Sequence, residues 1–100
     1  MGVKAQLSND SRQVTMHVDG RFDFQVHDEF RNAYCDVSPG GVKFTVDLCA
    51  AEYMDSSALG MLLLLKEHAG DAGKVEIVNS QSDVLNVLKI ANFDKLFEIH

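Results

Sequence analysis

Hydrophobic and polar residues alternate along the first part of the chain. Residues 3–7 and 13–19 carry apolar or β-branched side chains in alternation with polar ones, and residues 8–11, Ser-Asn-Asp-Ser, separate the two runs. A period of two is typical of a strand with one buried face, and serine, asparagine and aspartate favour turns. The pattern predicts an opening β-hairpin that ends at Gly20.

The next segment changes to helical spacing. Val26, Phe30 and Tyr34 recur at every fourth position, which predicts a first helix. Residues 36–41 hold the only proline and two glycines, and are predicted to form a connector. The mostly apolar, β-branched run at residues 42–48 then predicts a central strand that is covered on both faces.

A strongly helical segment occupies the middle of the chain. After a predicted loop at residues 49–55, residues 58–69 are almost wholly strong helix formers. Ser56 and Ser57 offer hydroxyls that could cap the helix N-terminus, and Gly70 stands where a helix commonly ends. We therefore expect a second helix that begins just after the two serines.

The last part of the chain contains a strand, a helix and a short strand. Residues 74–78 predict a strand, and the apolar spacing after it predicts a third helix, capped by Ser80 or Ser82 and ended near Asn92. Residues 97–99 are predicted to form a short final strand. The predicted order is thus β-β-α-β-α-β-α-β.

This order and the chain length together predict the fold class. A chain of 100 residues forms one domain, here residues 1–100. Strands that are joined through helices run parallel, with right-handed crossovers. We therefore expect an α/β fold: a mixed, mostly parallel β-sheet of about five strands with helices packed on it.

Charge and cysteine content restrict the partners and the compartment. Fifteen acidic and nine basic residues give a net charge of −6, which repels nucleic acid and anionic lipid, so neither nucleic acid nor membrane is expected as a partner. Cys35 and Cys49 form no metal-ligand pair and follow no leader, which predicts a cytoplasmic protein with reduced, packed thiols. The longest apolar run, residues 61–65, is far shorter than the ~20 residues of a membrane span.

Enzymatic and metal sites find no support in the sequence. Residues 70–74 hold two glycines, but they are too close for a phosphate loop, and Val75 replaces the serine or threonine that would hold magnesium. Neither Ser56 nor Ser57 lies in a nucleophile elbow. The four histidines lack metal-ligand spacing: His17, His27, His68 and His100. No metal, cofactor or catalytic residue is predicted.

Residues 52–61 are the most informative segment. They link a strand to a helix N-terminus, where unpaired N–H groups and the helix dipole tolerate a phosphate on a hydroxyl. The same Asp-Ser-Ser sequence is also an ordinary N-cap signal, so capping and regulation both remain open. Gly60 inside the helix suggests close approach by another backbone, while Met54, Met61 and the leucines suit either core or docking surface.

Two motifs resemble those of a known family. Residues 53–60, Tyr-Met-Asp-Ser-Ser-Ala-Leu-Gly, resemble the phosphorylation motif of the STAS domain, the module of bacterial anti-sigma factor antagonists and of sulphate transporter tails. Residues 20–23, Gly-Arg-Phe-Asp, resemble its earlier Gly-x-x-Asp element. Residues 46–48, 75–79 and 87–97 extend the resemblance over nearly the whole chain.

The resemblance implies a non-enzymatic regulator, an anti-sigma factor antagonist that acts as a phospho-regulated partner switch. Its unphosphorylated form would bind an anti-sigma factor or serine-kinase-type ATPase protein, which would phosphorylate Ser56, and a PP2C-type phosphatase would restore the serine. Asp23 and Asp55 would flank the site and shape recognition, and Ser57 would cap the helix. Ala58 departs from the more frequent glycine of the family and leaves the serine intact.

The same resemblance does not identify the regulated pathway, and it leaves a second class of protein open. Met54 and Gly60 join the residues expected to recognise the partner or kinase. Stand-alone antagonists of this kind act in partner-switching pathways that govern biofilm, motility or stress responses, including transcription regulation through a sigma factor. The alternative is a constitutive STAS subunit of a lipid or anion transporter complex, which would use the same surface without phosphate.

Overall fold

A mixed sheet runs through the centre of the molecule. A computed structural model describes the chain at residues 2–7, 12–35, 37, 42–70 and 74–99. Within these ranges, six strands and three α-helices follow one another as β1 (Gly2–Leu7), β2 (Gln13–Phe22), α1 (His27–Tyr34), β3 (Lys43–Asp47), β4 (Ala51–Met54), α2 (Ser56–Ala69), β5 (Lys74–Val78), α3 (Ser82–Ile90) and β6 (Glu98–Ile99). The predicted turn at residues 8–11 lies outside the described residues, as does the connector except for Val37.

The strand order is β1-β2-β3-β5-β6, with β4 paired to β2. β1 and β2 form the predicted antiparallel hairpin, whereas β2–β3, β3–β5 and β5–β6 are parallel. Helices connect these parallel strands, as a crossover between strands of one sheet requires. The predicted α/β fold and mostly parallel sheet are therefore confirmed.

Strand β2 is longer than predicted. The hairpin pairing ends at Asp19, directly before Gly20 as predicted, but β2 itself continues to Phe22 and pairs there with β4 in parallel. The register shifts between Gly20 and Arg21, and Gly20 has a φ of 77°, which favours glycine. The bulge lets one strand pair with β3 in its first half and with β4 in its last residues.

The predicted loop at residues 49–55 was wrong, because Ala51–Met54 form strand β4. Ala51 and Met54 are buried, whereas Glu52 and Tyr53 between them are exposed. Four residues with this burial pattern carry no period of two, so the strand has no clear signature in the sequence. Its backbone partner is the end of β2, at residues 20–22, far away in the chain.

The core lies between the sheet and the helices. Phe44, Thr45 and Val46 of β3 are buried in succession, which confirms the predicted strand covered on both faces. Helix α2 is anchored by five buried residues: Ala58, Met61, Leu62, Leu65 and Ala69. This packing fixes the direction of α2, and so the position of its first residues at the edge of the sheet.

Neither predicted serine caps α3. Its N-cap is Gln81, which makes no side-chain cap hydrogen bond, and Ser82 is already the first helical residue. Among the described residues, the Ser80 hydroxyl is buried without a hydrogen-bond partner. The predicted end near Asn92 is confirmed, since this residue has a φ of 61° directly after the helix.

The prediction that the cysteines are packed in the core was wrong. Cys35 and Cys49 are both unbridged and exposed. Cys35 is the C-cap of α1, and Cys49 lies in the turn after β3. None of the helices in the described ranges is long and apolar enough to cross a bilayer.

Candidate functional site

The two sequence motifs meet at one edge of the sheet. β2 and β4 are parallel neighbours, with Arg21 opposite Tyr53 and Phe22 opposite Met54. Asp23 follows directly after β2, and the serine motif follows directly after β4. Because the carboxyl ends of parallel strands lie at the same edge, the Gly-x-x-Asp element and the start of α2 become neighbours.

Asp55 caps helix α2. Its backbone is extended, and its Oδ1 accepts hydrogen bonds from the backbone N–H groups of Ser57 at 3.0 Å and Ala58 at 3.4 Å. The Ser57 hydroxyl donates to the same oxygen. The prediction that Ser56 or Ser57 is the N-cap was therefore wrong, because Asp55 takes that position and Ser57, inside the helix, supports its carboxylate.

The contacts of Asp55 also stabilise its charged form. The hydrogen bond from the Ser57 side chain is the main cause that lowers the pKa of Asp55 below its ordinary value. The backbone N–H groups of Ala58 and Ser57 and the positive charge of Arg21 act in the same direction, against a smaller opposing effect of burial. The capped helix therefore favours the ionised form of this carboxylate.

Replacement of the cap tests this arrangement. Asp55→Ala should lower the free energy of unfolding by about 1 kcal/mol at neutral pH, since α2 loses the acceptor for its first N–H groups. Because the folded pKa of Asp55 lies below the unfolded one, the carboxylate stabilises the fold above about pH 4. The difference between the two proteins should fade as the pH falls through the lowered folded pKa, in urea unfolding followed by circular dichroism.

Ser57→Ala is the matched control for this experiment. It removes one hydroxyl but keeps the Asp55 carboxylate and both backbone hydrogen bonds. Its effect should be clearly smaller than that of Asp55→Ala. Equal stability of Asp55→Ala and the unchanged chain at pH 7 would contradict the assignment of the cap.

Ser56 has no part in the cap. It is the first residue of α2, its side chain is exposed, and its hydroxyl has no hydrogen-bond partner among the described residues. Ser57, by contrast, is partly buried and bonded to Asp55. The structure thus separates the two roles that the sequence left open, since Asp55 caps the helix with support from Ser57, and the Ser56 hydroxyl is left accessible.

Asp23 is held inside the structure rather than displayed to solvent. It is buried, and its Oδ1 accepts from the backbone N–H of Gln25 at 3.0 Å at the start of the short 3-10 helix Phe24–Val26. Its Oδ2 accepts from Nε of Arg21 at 3.1 Å. Asp23 therefore fixes both the backbone after β2 and the side chain of Arg21.

Arg21 is the residue of this site that the sequence analysis missed. Its guanidinium carbon lies 4.1 Å from the centre of the Tyr53 ring. Its position in the Gly-x-x-Asp element, two residues before Asp23, is the signal in the sequence that could have identified it. Its contact with Tyr53 depends on the pairing of β2 with β4, which was not predicted.

The outer face of α2 is apolar beside Ser56. Gly60, Leu63 and Leu64 lie at helical spacing from Ser56, and the two leucines are 43% and 48% exposed. A Cβ added at Gly60 would meet nothing within 4 Å, so no described part of the chain approaches this glycine closely. The expectation of close packing at Gly60 inside the domain was therefore wrong, and its backbone is open to the outside.

One residue predicted to recognise the partner lies away from the surface. Met54 is only 5% exposed and belongs to the core, so its side chain offers little contact area to a partner. Phe24 and Tyr53 are exposed instead, one after β2 and one in β4. We call Phe24, Tyr53, Ser56, Gly60, Leu63 and Leu64 the α2 face. Among the described residues, no group of three histidine, cysteine or acidic side chains could hold a metal ion.

Comparison with known proteins gives consistent matches over the whole chain. Residues 5–98 match the family described as "Mlab, STAS domain". A STAS-domain containing protein of Pseudomonas aeruginosa (strain UCBPP-PA14) is 44% identical over 100 residues, and the match covers 99% of each chain.

Two solved structures share the architecture. A Thermotoga maritima protein proposed to be an anti-sigma factor antagonist has a TM-score of 0.82 at 20% identity, over 97% of this chain and 84% of that one. The anti-sigma factor antagonist SpoIIAA, in its unphosphorylated form, has a TM-score of 0.67 at 16% identity, over 88% and 82% of the two chains. At these identities the two structures establish the fold.

Proposed function

Because the chain belongs to the Mlab, STAS domain family, we propose that it is an anti-sigma factor antagonist whose partner binding is switched by phosphorylation of Ser56. The proposal depends on one observation: the Ser56 hydroxyl is exposed and has no hydrogen-bond partner among the described residues, while the neighbouring Ser57 is bonded to the cap. The anti-sigma factor antagonists among the solved structures of the same fold support this role.

The proposed partner is an anti-sigma factor of the serine-kinase type, which carries ATP. In the modification step, the Oγ of Ser56 attacks the γ-phosphorus of ATP, the bond from that phosphorus to the bridging oxygen breaks, and the hydroxyl proton is released as ADP leaves. A PP2C-type phosphatase reverses the modification by hydrolysis of the Oγ–P bond. The chain itself supplies only the acceptor hydroxyl, so its role is that of a substrate and a binding partner.

The α2 face is the proposed binding surface for the unphosphorylated chain. Its exposed leucines, Leu63 and Leu64, lie one helical turn after an open glycine backbone, and Tyr53, in the strand that leads into α2, is exposed as well. Apolar and aromatic side chains of this kind form the centre of most protein interfaces. Phosphate on Ser56 would place a charge of about −1.5 to −2 on this surface beside Asp55.

The remaining residues predicted for recognition would act mainly through positioning. Asp55 holds the first turn of α2, with Ser57 as its hydrogen-bond donor. Asp23 holds the backbone after β2, and Met54 is buried in the core. Gly60 would contribute by leaving backbone accessible to the partner. A phosphate on Ser56 would leave all of these contacts in place, because the Ser56 side chain takes part in none of them.

The site of modification can be tested with the kinase and ATP. We expect one added phosphate in the intact mass of the unchanged chain, none in Ser56→Ala, and one in Ser57→Ala. Subsequent treatment with a PP2C-type phosphatase should return the original mass. Equal phosphate incorporation into Ser56→Ala would contradict the proposal, because the modified residue would then lie elsewhere.

A binding experiment with and without phosphatase separates the transporter alternative. A constitutive STAS subunit would stay bound to its ATPase or membrane partner whether or not phosphatase is added. The proposed switch instead requires that phosphatase treatment of protein purified from its native cells increases binding to the anti-sigma factor. Unchanged binding, together with no phosphate on Ser56, would favour the constitutive subunit.

A further inference from the structure

Arg21 is a fixed cation at the edge of the α2 face. The register of β2 and β4 sets it opposite Tyr53, and its guanidinium lies over the ring of this residue at 4.1 Å. On the other side, its Nε donates to the buried carboxylate of Asp23 at 3.1 Å. Two contacts thus hold the long side chain of Arg21 in place. A further contact would therefore cost less side-chain conformational entropy.

Most of the hydrogen-bonding capacity of Arg21 still faces solvent. Its side chain is 63% exposed. A guanidinium has five N–H donors, of which the one on Nε is used by Asp23. The terminal N–H groups therefore form a planar fork, which suits a carboxylate or phosphate bound through two oxygens.

The fork lies over Tyr53, in the strand that leads into α2. The guanidinium of Arg21 covers the ring of Tyr53, and only Met54 and Asp55 stand between Tyr53 and Ser56 in the chain. The positive charge of Arg21 is also felt at Asp55, since it helps to lower the pKa of that carboxyl. Asp55 is the residue adjacent to Ser56, so a phosphate on Ser56 would enter the same electrostatic field.

We propose that Arg21 binds the phosphate group of phosphorylated Ser56, with Tyr53 and Asp23 as the residues that hold it ready. This proposal rests on the proposed modification of Ser56 and adds a binding residue for its product. The phosphate would accept from the terminal N–H groups of Arg21 while Nε keeps its bond to Asp23. The dianion would then be drawn over Tyr53, across the part of the α2 face that a partner would have to contact.

The titration of the phosphate measures this contact directly. Phosphoserine is introduced at position 56 during synthesis of the full chain, so that neither a kinase nor a partner is needed, and the ³¹P shift is followed by NMR from pH 4 to 8. The free second pKa of phosphoserine is about 6. We expect Arg21→Gln to raise the second pKa above that of the otherwise unchanged phosphorylated chain by about 0.5 unit or more, since a nearby cation favours the dianion.

Two further variants define the origin of the shift. Arg12→Gln removes the same charge just before β2, nine residues before Arg21. Nine residues of extended strand span about 30 Å, so this variant should leave the phosphate pKa unchanged. Arg21→Lys keeps the charge but loses the planar fork, and should give an intermediate value. The circular dichroism of the unphosphorylated variants verifies that each one folds.

The outcomes separate this inference from the proposed function. The same phosphate pKa in Arg21→Gln and in the unchanged chain would overturn the role of Arg21, even where phosphorylation at Ser56 blocks partner binding. A raised pKa in Arg21→Gln supports the role of Arg21, even where no kinase modifies Ser56. An equal rise in Arg12→Gln would mean a general charge effect and would also overturn the proposal.

Discussion

Phosphorylation of Ser56 is expected to weaken binding of the anti-sigma factor by about 2–4 kcal/mol, roughly thirtyfold to a thousandfold in Kd. The unphosphorylated surface around Ser56 is apolar, with Leu63, Leu64 and the Gly60 backbone exposed beside it. Binding of the partner over a dianion at its edge would require this charge to be desolvated against an apolar surface. Titration calorimetry of the anti-sigma factor with the unphosphorylated chain and with a chain carrying phosphoserine at position 56 gives both dissociation constants.

Two substitutions at the same position serve as controls. Ser56→Ala should bind like the unphosphorylated chain, because the exposed hydroxyl has no hydrogen bond to lose. Ser56→Asp should fall between the two states, since it carries one negative charge where phosphate carries about −1.5 to −2. Equal dissociation constants for the phosphorylated and unphosphorylated chains would rule out a switch at this residue.

Introduction of a charge into the middle of the α2 face should have a comparably large effect. Leu63→Lys is expected to weaken binding of the anti-sigma factor by about 2 kcal/mol or more, the loss typical of a central interface residue. Leu63 is 43% exposed and lies outside the core. Its replacement should therefore change the free energy of unfolding by no more than about 0.5 kcal/mol. Binding is measured by calorimetry and stability by urea unfolding.

Ile90→Lys is the matched control for this substitution. Ile90 is an apolar residue at the end of α3, 82% exposed and outside the α2 face. The same charge introduced there should leave partner binding unchanged. If Ile90→Lys weakened binding as much as Leu63→Lys, the docking surface would have to be assigned to a different part of the molecule.

Elements with a regular period were predictable from the sequence. The strands β1, β3 and β5 follow the alternation of their apolar residues, helices α1 and α3 follow helical spacing, and α2 is a run of strong helix formers. Strand β4 could not be found in this way, because its four residues include buried ends and an exposed middle. Its partner is the end of β2, at the register shift beside Gly20, and pairing with so distant a segment leaves no local signal in the sequence.

The candidate site was predictable in part for a similar reason. The motif around Ser56 stands out in the sequence, whereas the contact of Arg21 with Tyr53 requires the pairing of β2 with β4. The run of leucines in α2 is apolar on every side, so its period cannot show which leucines are buried. Only the packing against the sheet separates the buried Leu62 from the exposed Leu63.

The use of a carboxylate rather than a hydroxyl at the N-cap of α2 has a consequence for the cell. Asp55 secures the helix whichever form Ser56 takes, because the Ser56 hydroxyl makes no cap bond. Phosphorylation would then act without refolding of α2, and the signal carried by the chain would be set by the ratio of its two folded forms.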